Sequence, residues 1–304
     1  RILPAGRIAT PSRGGRGHKT EKPASDSWIC WSPVRGLNHL GGRLKQALGL
    51  ELPWHTDLCQ WYKVSPRRAL ELGTRQNGRR PDLPGSLTCP PVSGKTWEEL
   101  WAARPRNSEE AVLGFYREIG AWATFRQVVR HRWRSYAFVA RHLPRNGVLL
   151  EYGCGVAPIS HWLATHPWQV GGEPTYILVD VDSEHFTFGR WRVAAADGEA
   201  LELVVEPGKP LPALPPCDVA CILEVLEHVP DPVAVIRHVG TAIKPGGVLF
   251  EDFHRHEEAD GPDLESARAA RPEVYRYLWN HFAFEAGRTW EMLDGGGIRR
   301  WRKR

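Results

Sequence analysis

The residues with the clearest chemical potential lie in 148–160, VLLEYGCGVAPIS, where a carboxylate precedes two closely spaced glycines. The apolar residues 148–150 predict a buried parallel strand, and Gly153 and Gly155 permit a sharp turn where a ligand contacts bare backbone. Such turns often bind dinucleotide phosphates at a helix N-terminus. Glu151, however, would repel a phosphate and attract an ammonium group. The stretch therefore predicts a site for a positively charged ligand.

A second carboxylate ends the next apolar run, YILVD at 176–180. This run predicts a second parallel strand, and Asp180 falls 29 residues after Glu151. In a nucleotide site, a carboxylate at this position accepts hydrogen bonds from both ribose hydroxyls. Asp182 is a nearby alternative for that role. The sequence thus predicts two acidic strand ends at one edge of a sheet.

A third block, DVACILEVLEHVPDP at 218–232, follows the same pattern. Its apolar residues 219–223 predict a buried strand, and its Pro and Asp residues suit the first turn of a helix. Leu223, Glu224 and His228 therefore follow the carboxyl end of a strand. They are placed to contribute to the same edge.

Together these segments resemble the class I S-adenosylmethionine (SAM)-dependent methyltransferases. The first motif of that family is an acidic residue followed by G-x-G-x-G, and here Ala157 stands in place of the third glycine. The letters VLEHVPDP at 225–232 closely resemble a segment of the ubiquinone-biosynthesis-type and related small-molecule methyltransferases. In the family pattern the acid directly ends the second apolar run, which favours Asp180 over Asp182.

The resemblance implies SAM as the cofactor and a set of residues that contact it. Glu151 and the glycine backbone would hold the methionine part, and Asp180 the ribose. Glu206, after a third predicted strand at 201–205, is a candidate for the adenine amino group, with a solvated loop carboxylate as the alternative. The complete implied set is Glu151, Gly153, Gly155, Ala157, Asp180, Glu206, Leu223 and Glu224.

Methyl transfer itself needs little acid-base chemistry, because the cofactor supplies the reactive group and the protein mainly aligns it. A hydroxyl acceptor would benefit from a general base. His228 and His254 are the candidates, since each follows a strand's carboxyl end and imidazole titrates near neutrality. The alternative for His228 is a structural role at a helix start.

The fold implied is a Rossmann-like, doubly wound α/β domain whose seven-stranded sheet is mostly parallel with an antiparallel last strand. This methyltransferase domain is expected over 108–304, with its fifth strand from Val248 and a late helix that Pro272 starts. Residues 28–107, rich in Trp and Pro, predict an irregular N-terminal extension, with a cap over the substrate pocket as one interpretation. Residues 1–27, rich in Arg, Gly and Ser, predict a disordered basic tail.

Composition further narrows the possible classes of protein. The 304 residues contain no long apolar run for a membrane helix and no signal-peptide pattern at the start, which predicts a cytoplasmic protein without membrane contact. The six cysteines form no C-x-x-C pair, so reduced thiols are expected. His254 and His256 lack further ligands of recognised spacing, and no metal is predicted.

Three alternatives to a small-molecule methyltransferase remain. An NAD-binding Rossmann enzyme would have its glycine turn without Glu151. A nucleic-acid methyltransferase is consistent with the basic N-terminal part of the chain, because residues 1–107 contain 18 Lys and Arg against 8 Asp and Glu. It is disfavoured because the fourth strand ends in EVLEH, not in the Asn/Asp-Pro-Pro-aromatic motif of base N-methylation. A non-catalytic SAM-binding domain is the third.

Overall fold

The computed structural model describes residues 54–74, 101, 103, 108–132, 134–253, 263–285 and 297–304. The predicted tail 1–27, most of the extension 28–107, and His254 lie outside these residues. The described strands are β1 Val148–Tyr152, β2 Thr175–Val181, β3 Glu199–Val205, β4 Cys217–Ile222, β5 Ile243–Glu251, β6 Phe282–Phe284 and β7 Arg299–Lys303.

These strands form one seven-stranded sheet in the order β3-β2-β1-β4-β5-β7-β6. Strands β1 to β5 pair in parallel, and β7 runs antiparallel between β5 and β6. The apolar runs that predicted β1, β2 and β4 are buried on both faces, as strands covered by helices require. The predicted fold class, a mostly parallel sheet with an antiparallel last strand, is confirmed.

Eight helices are described: α1 Thr56–Tyr62, α2 Pro66–Thr74, α3 Glu109–His131, α4 Ala137–Ala140, α5 Pro158–Thr165, α6 Glu184–Ala194, α7 Pro232–Ala242 and α8 Glu265–His281. One apolar cluster includes α3, α7 and α8 residues, and a second includes α4, α5 and α6 residues. Both clusters contain side chains of the central strands β1, β2 and β4. The sheet therefore has a packed apolar layer of helices on each face. Among the described helices, none combines the length and apolar character needed to span a membrane.

Two predicted boundaries differ from the structure. Helix α8 starts at Glu265 and carries Pro272 inside it, because the face with Ala267 and Val274 is buried and outweighs the hydrogen bond that proline cannot donate. Strand β5 begins five residues before the predicted Val248. Ile243 already pairs with Cys217, and residues 244–247 bulge before Val248 pairs with Val219.

The described part of the N-terminal extension packs onto the domain. Leu58 and Tyr62 of α1 and Leu72 of α2 are buried in a cluster with Phe125 of α3 and Phe188 of α6. The exposed fractions of Leu58 and Leu72 are both 0%. Burial of these side chains stabilises the contact by roughly 1.5–3 kcal/mol each. The extension and the sheet domain thus share a hydrophobic core at α3 and α6.

Candidate functional site

The turn after β1 has the conformation that its glycines predict. Gly153 and Gly155 have φ of 65° and 50°, in the left-handed region that favours glycine. A Cβ at Gly153 would lie 2.2 Å from Cγ2 of Val225, so no larger residue fits there. Ala157 has φ of 47°, so this alanine adopts the left-handed conformation that the family's third glycine would adopt without steric cost.

The turn is fixed by backbone hydrogen bonds to β2. The amides of Gly153 and Cys154 both donate to the carbonyl oxygen of Val179, at 2.7 and 3.1 Å. The amide of Ala157 donates to the carbonyl of Cys154 at 2.7 Å. The turn is therefore held at the carboxyl ends of β1 and β2, the edge of an open α/β sheet where ligands bind.

Glu151 is buried, and its carboxylate points to the start of α5. Its Oε1 accepts from the amide of Ile159 at 3.1 Å, and its Oε2 accepts from the amide and hydroxyl of Ser160 at 2.8 and 2.6 Å. Ala157 has no side chain that could cap α5, so Glu151 supplies the acceptor from β1. Burial raises the pKa of the Glu151 carboxyl to about 7, although these hydrogen bonds favour the ionised form and lower the pKa. Contact of Glu151 with a ligand ammonium group stays a prediction.

Asp180 lies on the other side of the same turn. Its Oδ2 accepts from the amide of Gly155 at 2.6 Å, and its Oδ1 accepts from the amide of Val181 at 2.7 Å. Burial raises the pKa of its carboxyl to about 6, although both hydrogen bonds favour the ionised form. The structure thus places Asp180 and Glu151 at one edge of the sheet, where Asp180 accepts from the turn and Glu151 from the start of α5.

The segment after β4 reaches the same edge. Glu224 has φ of 56°, an uncommon conformation for this residue, and its amide donates to Oδ1 of Asp252 at 2.5 Å. Both of its carboxylate oxygens accept from the guanidinium of Arg130 on α3. The neighbouring Leu223 is partly buried beside the apolar cluster of α5 and α6. The strain and the ion pair together orient this segment toward α3.

His228 lies in a short 3-10 helix at Leu226–His228, with its ring centroid 5.7 Å from that of Trp101. The adjacent Glu227 is buried, and burial, together with the charges of Asp252, Glu224 and Asp263, raises the pKa of its carboxyl. The His228 ring therefore packs edge-on against an aromatic side chain of the extension. Its role as a base stays a prediction.

Two predicted site residues remain, one exposed and one outside the described residues. Glu206 is exposed at the end of β3, where it forms an ion pair with Lys209 at 2.5 Å. Its role at the adenine stays a prediction. His254 lies outside the described residues.

Sequence reasoning missed two aromatic groups beside the turn. Tyr116 of α3 packs edge-on against His185 of α6, with ring centroids 5.9 Å apart. Burial raises the pKa of the Tyr116 hydroxyl, and the carboxylates of Asp180 and Glu227 add to this effect. Burial lowers the pKa of His185 to about 4, so its imidazole is neutral at pH 7. Neither residue was predictable as part of the site, because each lies on a helix face whose residue pattern indicates apolar packing.

The arrangement suits a ligand with a cationic amine and neighbouring hydroxyls. A Cβ at Gly155 would meet only Cδ2 of His185, at 3.7 Å, so the backbone there is open to close approach. Carboxylates stand on both sides, and hydroxyl groups and ammonium groups are the donors that carboxylates accept from most strongly. In the part of the chain that the structure describes, no cluster of metal-ligating side chains is found. The described cysteines Cys59, Cys154, Cys217 and Cys221 are free thiols.

Residues 123–301 match the family model described as a methyltransferase domain. The match spans more than half of the 304 residues and begins within α3 and ends in β7. It therefore includes the glycine turn, Asp180 and the segment from Glu224 to His228.

Several relatives carry the name ubiquinone biosynthesis O-methyltransferase, and two of them illustrate the similarity. The protein from Ralstonia nicotianae is 51% identical over 43 residues, which cover 14% of this chain and 18% of the relative. The protein from Stutzerimonas stutzeri is 31% identical over 113 residues, covering 36% of this chain and 46% of the relative. The chain thus spans less than half the length of either relative. An O-methyltransferase family protein from Burkholderia thailandensis superposes with a TM-score of 0.45 at 13% identity, covering 67% of this chain and 64% of that one.

Proposed function

Because the chain belongs to the methyltransferase domain family, we propose that it transfers a methyl group from SAM to a hydroxyl group of a small-molecule acceptor. One observation carries this proposal. The glycine turn has Asp180 on one side and Glu151 on the other, both at the carboxyl ends of adjacent parallel strands. A phosphate bridge would meet two carboxylates there, whereas an amine and a ribose would meet hydrogen-bond acceptors.

In this proposal each side of the turn binds one part of the cofactor. Asp180 accepts from the ribose hydroxyls, and the backbone of Gly153, Gly155 and Ala157 lies along the methionine part. Glu151 fixes the start of α5 and places negative charge beneath the amine. Leu223 and Glu224 line the pocket beside the sulfonium, and Glu206 is the candidate at the adenine.

SAM, when bound, supplies a methyl group on a positively charged sulfur, an electrophile that needs alignment more than activation. The acidic residues Glu224 and Asp252 lie at the ends of β4 and β5, and the guanidinium of Arg130 pairs with the Glu224 carboxylate. A hydroxyl acceptor would lose its proton as its oxygen bonds to the methyl carbon, while the bond from that carbon to sulfur breaks and S-adenosylhomocysteine leaves. His228 or His254 accepts that proton, as a neutral imidazole.

The hydroxyl as acceptor group is supported by the relatives' name, which specifies an O-methyltransferase. Nitrogen acceptors are the second class of acceptor. A general base is of more use to a hydroxyl acceptor, because a neutral amine already presents a lone pair.

The test uses the full chain, purified and incubated with methyl-labelled SAM and a metabolite extract, followed by identification of the labelled product. We expect label in a small hydroxylated compound and binding of S-adenosylhomocysteine (SAH) by calorimetry. The matched control is Asp180→Ala, which should weaken SAH binding by about 1.5–3 kcal/mol, the value of a hydrogen bond to a charged group.

Other results of this experiment would indicate a different class of protein function. SAH binding without turnover would favour the non-catalytic SAM-binding domain. Binding of NADH in place of SAH would contradict the proposal, and label transferred to added nucleic acid would contradict the small-molecule acceptor.

A further inference from the structure

A hydrogen-bonded network of three charged or titratable residues joins the N-terminal extension to the glycine turn. It consists of Asp57 on α1, His161 on α5 and Arg192 on α6, and we call it the clamp network. Arg192 Nη2 and Nε lie 2.9 and 3.1 Å from Oδ2 of Asp57. The side chain of Arg192 is 8% exposed and that of Asp57 is 19% exposed. The two charges are therefore paired out of bulk water.

His161 completes the clamp network in one protonation state. Its Nδ1 accepts from Nη2 of Arg192 at 2.7 Å, so the ring proton must lie on Nε2. That nitrogen is 3.2 Å from Oδ2 of Asp57, to which it donates. Burial and the charge of Arg192 lower the pKa of His161, which keeps the ring neutral. All three side chains thus satisfy one another, and Asp57 is the only anion among them.

The clamp network reaches the turn through Arg192. Its Nη1 donates to the backbone carbonyl of Val156, which lies between Gly155 and Ala157, at 3.3 Å. The side chain of Val156 is 2% exposed and packs in the same cluster as Leu58 and Tyr62 of α1. The extension therefore contacts the turn both through a charged pair and through apolar packing.

Helix α6 leaves little room for the turn to move. A Cβ at Gly189 would lie 2.4 Å from the carbonyl oxygen of Gly155 and 3.0 Å from the nitrogen of Ala157. Gly189 stands one helical turn before Arg192, on the same face. The close approach at Gly189 and the hydrogen bond from Arg192 hold neighbouring residues of the 153–157 turn. The orientation of Arg192 therefore affects the backbone conformation of this turn.

We propose that Asp57 is a positioning residue of the cofactor site: by fixing Arg192 and His161, it holds the backbone of the 153–157 turn in its ligand-binding shape. The extension then contributes to the cofactor site, because its α1 helix supplies Asp57, the anion on which the clamp network depends. The consequence for SAM rests on the proposed function, whereas the effect on the turn does not.

The experiment compares the full chain with Asp57→Ala, with Asp57→Asn as a milder second variant, and with Tyr62→Phe as the matched control. Tyr62 lies on the same helix and donates to Oε1 of Glu184 on α6 at 3.0 Å, so Tyr62→Phe removes an α1–α6 hydrogen bond that does not reach the turn. Two quantities are measured: hydrogen exchange of the amides of residues 153–157 without ligand, and SAH affinity by calorimetry.

We expect the turn amides to exchange about tenfold faster in Asp57→Ala and SAH to bind about tenfold more weakly, the effect of losing one charge-assisted hydrogen bond. Tyr62→Phe should change neither, and exchange in β1 and β4 should stay slow in every variant. If Asp57→Ala does not fold, Asp57→Asn must show the same two effects to a smaller degree.

Unchanged exchange at 153–157 in a folded Asp57 variant would overturn the inference, with or without cofactor binding. So would equal effects of Asp57→Ala and Tyr62→Phe, since these would indicate general loosening of α1. If the turn exchanges faster but the unmodified protein binds no SAH, the proposed function fails while the positioning role of Asp57 is supported.

Discussion

The raised pKa values of Glu151 and Asp180 predict that cofactor affinity rises with pH, while the stability of the ligand-free protein falls. Burial raises these pKa values to about 7 and about 6. The proposed cofactor needs both carboxyls ionised, one beneath its amine and one at its ribose. Binding must therefore release protons wherever the free protein still holds them.

The magnitude follows from the two pKa values. At pH 5, ionising a group whose pKa is about 7 costs about a factor of 100, and a group whose pKa is about 6 costs about a factor of 10. At pH 8 both costs vanish. SAH affinity should thus rise up to about a thousandfold from pH 5 to pH 8, with the steepest change between pH 5 and 7.

The free energy of unfolding changes with pH in the direction opposite to cofactor affinity. The folded protein binds the Glu151 proton more tightly than the unfolded chain, whose carboxyl has the ordinary value of 4.5. Its contribution to stability is complete below pH 4.5 and is lost as pH rises through about 7. The loss is about 3 kcal/mol, the free energy that corresponds to a rise of the pKa from 4.5 to about 7.

The assay is isothermal titration of SAH at four pH values from 5 to 8, in two buffers of different ionisation enthalpy, beside urea unfolding without ligand. Asp180→Asn should remove the tenfold part of the pH dependence of affinity, and Glu151→Gln the hundredfold part together with its share of the stability slope. Equal observed enthalpies in both buffers at pH 6 would refute the reasoning, because no proton would then be released. An affinity that stays flat from pH 5 to 8 would refute it as well.

Three further predictions concern packing and catalysis. Gly189→Ala should destabilise the fold by about 1–3 kcal/mol in urea unfolding, because the new Cβ would lie 2.4 Å from the carbonyl oxygen of Gly155. Glu251→Ala should cost about 3–5 kcal/mol, since the buried carboxylate accepts from Arg299 at 2.7 Å and its loss leaves that cation without its anion. His228→Gln should lower the methyl-transfer rate to a hydroxyl acceptor by about 10²–10⁴-fold while SAH affinity stays unchanged.

Each of these has a control within the chain. For Gly189 the control is Ala194→Gly, at an exposed position of the same helix, which should cost about 1 kcal/mol or less. For Glu251 it is Glu273→Ala, which removes a surface ion pair with Arg237 and should cost less than about 1 kcal/mol. A Glu251 variant no less stable than the Glu273 variant would contradict the buried-pair argument. A weaker SAH affinity in His228→Gln would indicate a binding role in place of a base.

Much of the site was predictable because its signals are local. Glycines that need left-handed φ, apolar runs of strand length and acids at strand ends are readable within about ten residues, and they placed Glu151, Gly153, Gly155 and Asp180 at one edge of the sheet. Asp252 carried a similar signal, an acid after the fifth apolar run, and was overlooked. Parallel pairing then requires that these strand ends meet.

The direction of each side chain depended on partners far along the chain. The local pattern placed Glu151 at the turn, but it could not show that the Glu151 carboxylate also accepts from the first amides of α5, because Ala157 cannot cap that helix. Glu206 stands at the predicted strand end, but its position cannot show that Lys209 pairs with it on an exposed surface. The boundary error at α8 has the same cause, since burial of one face outweighed the local cost of proline.

The sequence by itself predicted the buried strands β1, β2 and β4, the bare-backbone turn and the two carboxylates beside it, since backbone conformation and hydrophobic period are properties of neighbouring residues. Only the tertiary structure decided that Arg130 pairs with Glu224 and that Arg192 joins Asp57 to the turn. These contacts join residues 94 and 135 positions apart. Their formation depends on how helices pack on the sheet, which no local pattern encodes.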